Sequence, residues 1–136
     1  MASEEKLISV SEESGLVFGD FTLETKAKQP DFAYLGDIYK VKTFKDITKL
    51  EKNDRFLYES VPGTKVNGFV QKSDEVEFSV SGYTDTQITL ELEERTEYEV
   101  LIDGASAGAF RTNIGGKLSL SVELGQAEKH IRIVKK

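Results

Sequence analysis

The sequence predicts an all-β protein: an antiparallel two-sheet β-sandwich, Ig-like or jelly-roll-like, of roughly ten strands. Three observations carry that expectation. Apolar and polar residues alternate with period two through most of the second half of the chain. Turn-forming residues punctuate it at strand-length intervals. Only one short stretch offers a helical period instead. A chain of 136 residues is one domain's worth and long enough to bury a core. A single domain over 1–136 is therefore expected. The one weak alternative seam lies near 72/73, where the chain turns more acidic.

Taken in order, Leu7–Val10 and Leu16–Phe18 flank the polar Ser11–Gly15 and read as a hairpin. Phe21, Leu23 and Thr25 alternate and read as a strand. Tyr39, Val41 and Thr43 alternate with Lys40 and Lys42, which places the two lysines on one face. Phe44, Ile47 and Leu50 at i, i+3, i+6, after a Thr43-x-x-Asp46 capping-box pattern, offer the competing helix. It would last two turns before Asn53, so a strand is preferred. Ile47–Lys52 and Arg55–Glu59 read as a hairpin around Asn53-Asp54. Pro62-Gly63 suits the central positions of a type II turn. Further on, the apolar faces are Val76, Phe78, Val80; Ile88, Leu90, Leu92; Tyr98, Val100, Ile102; Leu118, Leu120, Val122, Leu124; and finally Ile131 and Ile133. Ser81-Gly82, Asp103-Gly104, Gly115-Gly116 and Gly125 separate them.

Composition excludes much chemistry. With no cysteine and one histidine, thiol catalysis, disulfides and thiolate metal sites are out, and zinc is not expected. A net charge of −6 argues against nucleic acid and anionic membranes as partners. The first ten residues lack a hydrophobic signal region and no apolar run reaches membrane-span length, so a cytoplasmic protein is expected. A Ser/His/acid triad would have to be built on His130, which sits in a charged, strand-like run and reads as a surface residue. Gly115-Gly116-Lys117 is not a phosphate loop, and Gly104–Gly108 is not a dinucleotide fingerprint. No cofactor, no metal and no catalytic residue is expected. A carboxylate-based hydrolase remains the enzymatic alternative, because it needs two acids across a cleft.

One charge pattern stands out. If 87–93 and 97–103 formed a hairpin through Glu94-Arg95-Thr96, their apolar faces would match with Leu92 opposite Tyr98, Leu90 opposite Val100 and Ile88 opposite Ile102. Glu93 would then face Glu97, and Glu91 would face Glu99, crowding four carboxylates on one face. Opposite charge exists in the stretch holding Lys26, Lys28, Lys40 and Lys42, where lysines outnumber acids. These residues are the candidate docking faces, and a second copy or another protein is the expected partner. A glycan is the alternative partner, with Tyr83 as the candidate ligand aromatic because it lies in a turn-rich loop. Leu118–Leu124 would be an augmentation site if it lay at a sheet edge.

Val41–Asn53, Tyr58–Thr64, Ile102–Gly104 and Thr112–Leu124 resemble a family of small stand-alone, largely uncharacterised proteins of anaerobic gut Firmicutes, some of which carry the label endosialidase. The resemblance runs nearly end to end and implies a stand-alone β-sandwich. It carries over no catalytic residue. Sialidases hold substrate with three arginines beside a Tyr/Glu pair on a large propeller. This chain has Arg55, Arg95, Arg111 and Arg132, no tryptophan for an Asp-box, and too few residues for several blades. A non-enzymatic role in self-assembly, scaffolding or partner docking is the expectation, with a carbohydrate-binding accessory module second.

Overall fold

The computed structural model describes residues 7–11, 15–125 and 128–136. They form thirteen strands in two antiparallel sheets packed face to face. The strands are β1 (Ile8–Val10), β2 (Leu16–Phe18), β3 (Ala27–Tyr34), β4 (Asp37–Phe44), β5 (Ile47–Lys52), β6 (Arg55–Val61) and β7 (Lys65–Gln71). They continue with β8 (Glu75–Ser81), β9 (Thr86–Glu91), β10 (Glu97–Ile102), β11 (Ala105–Arg111), β12 (Lys117–Val122) and β13 (Lys129–Lys135). One sheet runs β1-β2-β7-β8-β13-β10-β11 and the other β12-β9-β6-β5-β4-β3. Among the described residues no helix is long and apolar enough to cross a membrane.

Short local signals account for the hairpins. Leu35-Gly36, Asn53-Asp54 and Asp103-Gly104 each place two consecutive residues at positive φ. That is the two-residue turn whose twist matches the flanking strands. The Asn53 side chain ties its turn to the start of β4, accepting from Ile38 N–H at 2.9 Å and donating to Asp37 at 2.8 Å. Lys45-Asp46 closes β4 onto β5, with Phe44 opposite Ile47. The helical spacing across this point is thus a hairpin, and its apolar residues alternate on two strands.

Four expectations need correction. Phe21–Thr25 forms a turn rather than a strand. The Val61–Pro62 bond is cis and Gly63 has no positive φ, so the type II turn does not form. Gly63 is needed for a close approach instead. Its N–H donates to Lys45 O at 3.0 Å, and a Cβ there would collide with the carbonyl oxygen of Phe44. Third, β9 and β10 are not a hairpin. β9 lies between β12 and β6, and β10 lies between β13 and β11 in the other sheet. The connection Leu92–Thr96 crosses between layers, a geometry that period-two patterning cannot distinguish from a turn. Fourth, thirteen strands form where roughly ten were expected. β3, β7 and β11 escape the alternation test. β3 carries Pro30 and a bulge at Asp31, and a bulge at Gly68 in β7 lets Val66 and Phe69 both face inward. β11 is a run of small exposed residues over Ala105–Ala109, with only Phe110 turned against the core.

The apolar faces meet as expected. Val76, Phe78 and Val80 of β8, Tyr98 and Val100 of β10, and Ile131 and Ile133 of β13 are buried against Val41, Leu50, Tyr58, Ile88, Leu90, Leu118 and Leu120. Phe18, Tyr58, Phe69 and Phe78 form an aromatic centre, with Tyr58 edge-on to Phe18 at 5.3 Å and to Phe78 at 5.8 Å. The two sides of 72/73 share this core, because β7 and β8 are hydrogen-bonded across that point and β9 pairs with β6.

A polar network runs beside the aromatics. Thr43, Thr48, Ser60 and Thr64 are fully buried. Thr48 Oγ1 accepts from Thr64 N–H at 3.0 Å, donates to Thr64 O at 2.8 Å and lies 2.8 Å from Thr43 Oγ1, which accepts Asp20 N–H at 2.9 Å. Thr64 Oγ1 lies 2.8 Å from Tyr58 Oη and 2.7 Å from Ser60 Oγ. Every buried side-chain polar atom among the described residues has a partner.

Removing the hydroxyl of Thr48 would strand the backbone N–H of Thr64. Thr48→Val is expected to cost about 1–3 kcal/mol, read from urea unfolding, with Thr48→Ser close to the parent. Burial also pushes the Tyr58 hydroxyl up to about 12. The buried phenol is therefore favoured neutral. Its contribution is intact below about pH 10, where unfolded tyrosine ionises, and is lost as pH rises through about 12. Stability measured over that window should fall less steeply in Tyr58→Phe than in the parent.

Candidate functional site

The four glutamates do not share a face. Glu91 lies on the outer side of β9, opposite Lys117 of β12, and its carboxylate meets Arg55 Nη2 at 3.0 Å. Glu93 lies in the β9–β10 crossover and holds Lys135 Nζ at 2.9 Å. Glu97 and Glu99 lie on β10 in the other sheet, Glu97 opposite Arg111 and Glu99 opposite Ala109 and Val134. The carboxylate crowding expected from a hairpin is removed by the crossover.

The lysines do come together. Lys28 of β3, Lys42 of β4 and Lys49 of β5 stand directly opposite one another across three strands. Lys40 faces Glu51 in the neighbouring row, and Lys26 lies 5.9 Å from the Phe44 ring at the end of the stripe. Among the described residues Lys28, Lys40 and Lys42 have no ion-pair partner. Lys49 reaches Glu51 at 3.6 Å. Tyr83 is 70% exposed and its ring meets Phe21 edge-on at 4.7 Å.

Two places hold groups that could do chemistry. A cleft of about 370 Å³ opens at one end of the sandwich, over Leu57, Val76 and Tyr98. Its charged rim includes Lys52, Arg55, Lys72, Glu75, Glu91 and Glu93. The acids are paired: Glu91 with Arg55, Glu93 with Lys135, and Glu75 with Arg132 Nε at 2.7 Å. The Arg132 hydrogen bond holds the Glu75 carboxyl below the usual range, the wrong direction for a general acid. The Glu93 carboxylate likewise raises Lys135.

The second place is a chain of three polar residues across β8 and β13. Ser79 Oγ lies 3.2 Å from His130 Nδ1, and His130 Nε2 lies 2.7 Å from Glu77 Oε2. Sequence reasoning found the histidine and missed its neighbours, because strand pairing supplies them: His130 stands directly opposite Ser79. The trio lies on the outer face of an interior strand. β8 is bonded to β7 on one side and β13 on the other, so Ser79 brings no free backbone N–H to stabilise an oxyanion. It reads as a cross-strand polar ladder.

The sheet edges separate more clearly. Leu7 N–H donates to Gln29 Oε1 at 2.9 Å and Gly15 N–H to Tyr34 Oη at 3.4 Å, which puts β1 and β3 on one side of the sandwich. β11 and β12, joined by Thr112–Gly116, end the two sheets on the other side. The first side is guarded. β1 has three residues, and β3 carries Lys28, Pro30 and a bulge with Asp31 at φ 60°. On the second side, β11 is interrupted by a bulge at which Gly108 N–H turns to Ser106 Oγ at 3.2 Å.

β12 carries no proline and no bulge, and its one lysine, Lys117, stands at its first position. It pairs with β9 in unbroken register from Lys117 to Val122. Residues 118–122 contain no charge and no proline. Leu92 N–H donates to Gly116 O at 2.7 Å, one step before the pair Leu90–Leu118. The backbone groups of Leu118, Leu120 and Val122 therefore face β9, and those of Ser119 and Ser121 face outward. Lys117 supports the same parity, since its outward N–H and C=O are both taken by Asn113, at 3.0 and 3.3 Å. Of the run Leu118–Leu124, the part up to Val122 is thus an edge strand, a point the sequence leaves open.

No family model, curated protein or solved structure matches the chain.

The Glu75–Arg132 pair is exposed enough to be weak. Glu75→Gln is expected to cost under about 1 kcal/mol at neutral pH. Because the folded carboxyl is depressed, the stabilisation is present above about pH 4.3 and is lost as pH falls below it. Acid unfolding curves of the variant should be flatter there.

Proposed function

We propose that this protein is a non-enzymatic assembly or docking module that takes a further β-strand along the free edge of β12. The observation that carries the reading is the contrast between edges. β1, β3 and β11 are blunted by shortness, proline, lysine or bulges, while β12 presents the backbone of Ser119 and Ser121 unprotected. Strand addition draws its affinity from main-chain hydrogen bonds, so it needs neither an apolar pocket nor a cofactor. A cytoplasmic setting and a protein partner belong to this reading. The lysine row of β3, β4 and β5 supplies a separate, salt-sensitive surface for acidic partners. A carbohydrate-binding role is the second reading, favoured by the exposed Tyr83 beside Phe21.

The test is solution mass over a hundredfold concentration range, at low and high salt, for the parent and for Ser121→Pro. Proline is tolerated at an edge position whose N–H faces solvent, and it blocks pairing there. The proposal expects a mass rising above 15.2 kDa in the parent and staying there in the variant. Association that ignores Ser121→Pro would overturn edge docking. Association that disappears with salt alone would transfer the role to the lysine face. A glycan-induced thermal shift lost in Tyr83→Ala would support the second reading.

A further inference from the structure

The partner strand at β12 has a chemistry of its own, and the residues that flank the free edge define it. Lys117 precedes the uncharged run and Glu123 follows it. Lys117 shares the outer face with Ser119 and Ser121, and Glu123, one residue beyond the strand, is exposed like them. Among the described residues neither has an ion-pair partner. Lys117 Nζ rests 4.9 Å from the Phe56 ring, and Glu123 is exposed. The edge therefore has a cation at one end and an anion at the other, neither in an ion pair, spaced symmetrically about Leu120.

We infer that β12 pairs with β12 of a second copy, antiparallel about a two-fold axis through Leu120. This inference rests on the edge-docking reading above. In this register Ser119 faces Ser121 of the second copy and Leu118 faces Val122. Backbone pairing stops there, because Asn113 already takes the outward N–H and C=O of Lys117 and β12 ends at Val122, and only the long Lys117 side chain reaches toward Glu123 of the second copy. Backbone parity allows it, because Ser119 and Ser121 both turn their N–H and C=O outward and can exchange both bonds. Two such pairs form by symmetry. The face pattern allows it too. A two-fold perpendicular to the sheet keeps Leu118, Leu120 and Val122 of both copies on the inner side, and no charge is driven inward.

Neighbouring registers lose the match. Sliding by two residues places Lys117 opposite Ser121 or Gly125 and leaves Glu123 opposite Gly115 or Ser119. Sliding by one sets an outward-facing backbone against groups already bonded to β9. The register centred on Leu120 is the one that brings Lys117 and Glu123 together at both ends, and it joins two six-stranded sheets into one.

Charge swapping tests the register apart from the edge. Lys117→Glu places Glu opposite Glu at both ends, and Glu123→Lys places Lys opposite Lys. Each single variant is expected to weaken the dimer about tenfold by sedimentation. The double variant, Lys117→Glu with Glu123→Lys, restores the pairs in reverse and should return to the parent value. A second measurement uses the absence of native cysteine. A mixture of Ser119→Cys and Ser121→Cys chains should form the mixed disulfide dimer faster than either variant alone, because those positions face each other at about 5.5 Å between Cα atoms. An association that is abolished by Ser121→Pro but indifferent to the charge swaps would overturn the symmetric register and leave edge docking standing. A mass fixed at 15.2 kDa for the parent at every concentration would overturn the pairing of two copies itself.

Discussion

The hydrogen-bonded cluster of Thr48, Thr64 and Tyr58 is the constraint on which the arrangement of the six-stranded sheet depends. One hydroxyl, Thr48 Oγ1, binds both the N–H and the C=O of Thr64. That fixes the segment between β6 and β7, where the chain leaves one sheet for the other. Thr86 Oγ1 donates to Pro62 O at 2.9 Å and ties the start of β9 to the same segment. Tyr58 joins the cluster to the aromatic centre. Because these groups are buried, an unmade bond would cost its full desolvation, which penalises alternative packings.

From that anchor the chain alternates between layers, and the alternation has a consequence for the surface. Successive crossovers place β9 and β10 in different sheets and bring β11 and β12 out as edges on one side. The other side carries the short β1 and the bulged, proline-bearing β3. The sandwich is thus protected on one flank and open at β12 on the other. The paired charges of the end cleft and the Ser79–His130–Glu77 ladder satisfy their own polar groups.

Much of the fold is legible in the sequence where alternation is clean. Val76–Val80, Ile88–Leu90, Tyr98–Val100 and Leu118–Val122 all bury the face their period predicts. Asn53-Asp54 and Asp103-Gly104 make the turns their chemistry favours. The strands missed have physical excuses. A bulge shifts the phase of β7, an edge position excuses Pro30 in β3, and the small exposed residues Ala105–Ala109 leave β11 with no pattern to read. The docking residues divide in the same way. Lys40 and Lys42 share a face as one strand requires, whereas Glu91, Glu93, Glu97 and Glu99 are separated.

What the sequence by itself determined is the local geometry where alternation is unbroken: which of those segments are strands, which face of each is buried, and which Asn/Asp-led turns are tight. These depend on a side chain's neighbours two positions away and on backbone preferences at single residues. What only the tertiary structure decided is which strand lies beside which, and hence which strand is left at an edge. A connection of five residues such as Leu92–Thr96 can turn within a sheet or cross to the other. The choice is made by the burial and hydrogen bonding of residues far apart in the chain. The free edge of β12, and the neighbours of His130, are products of that choice.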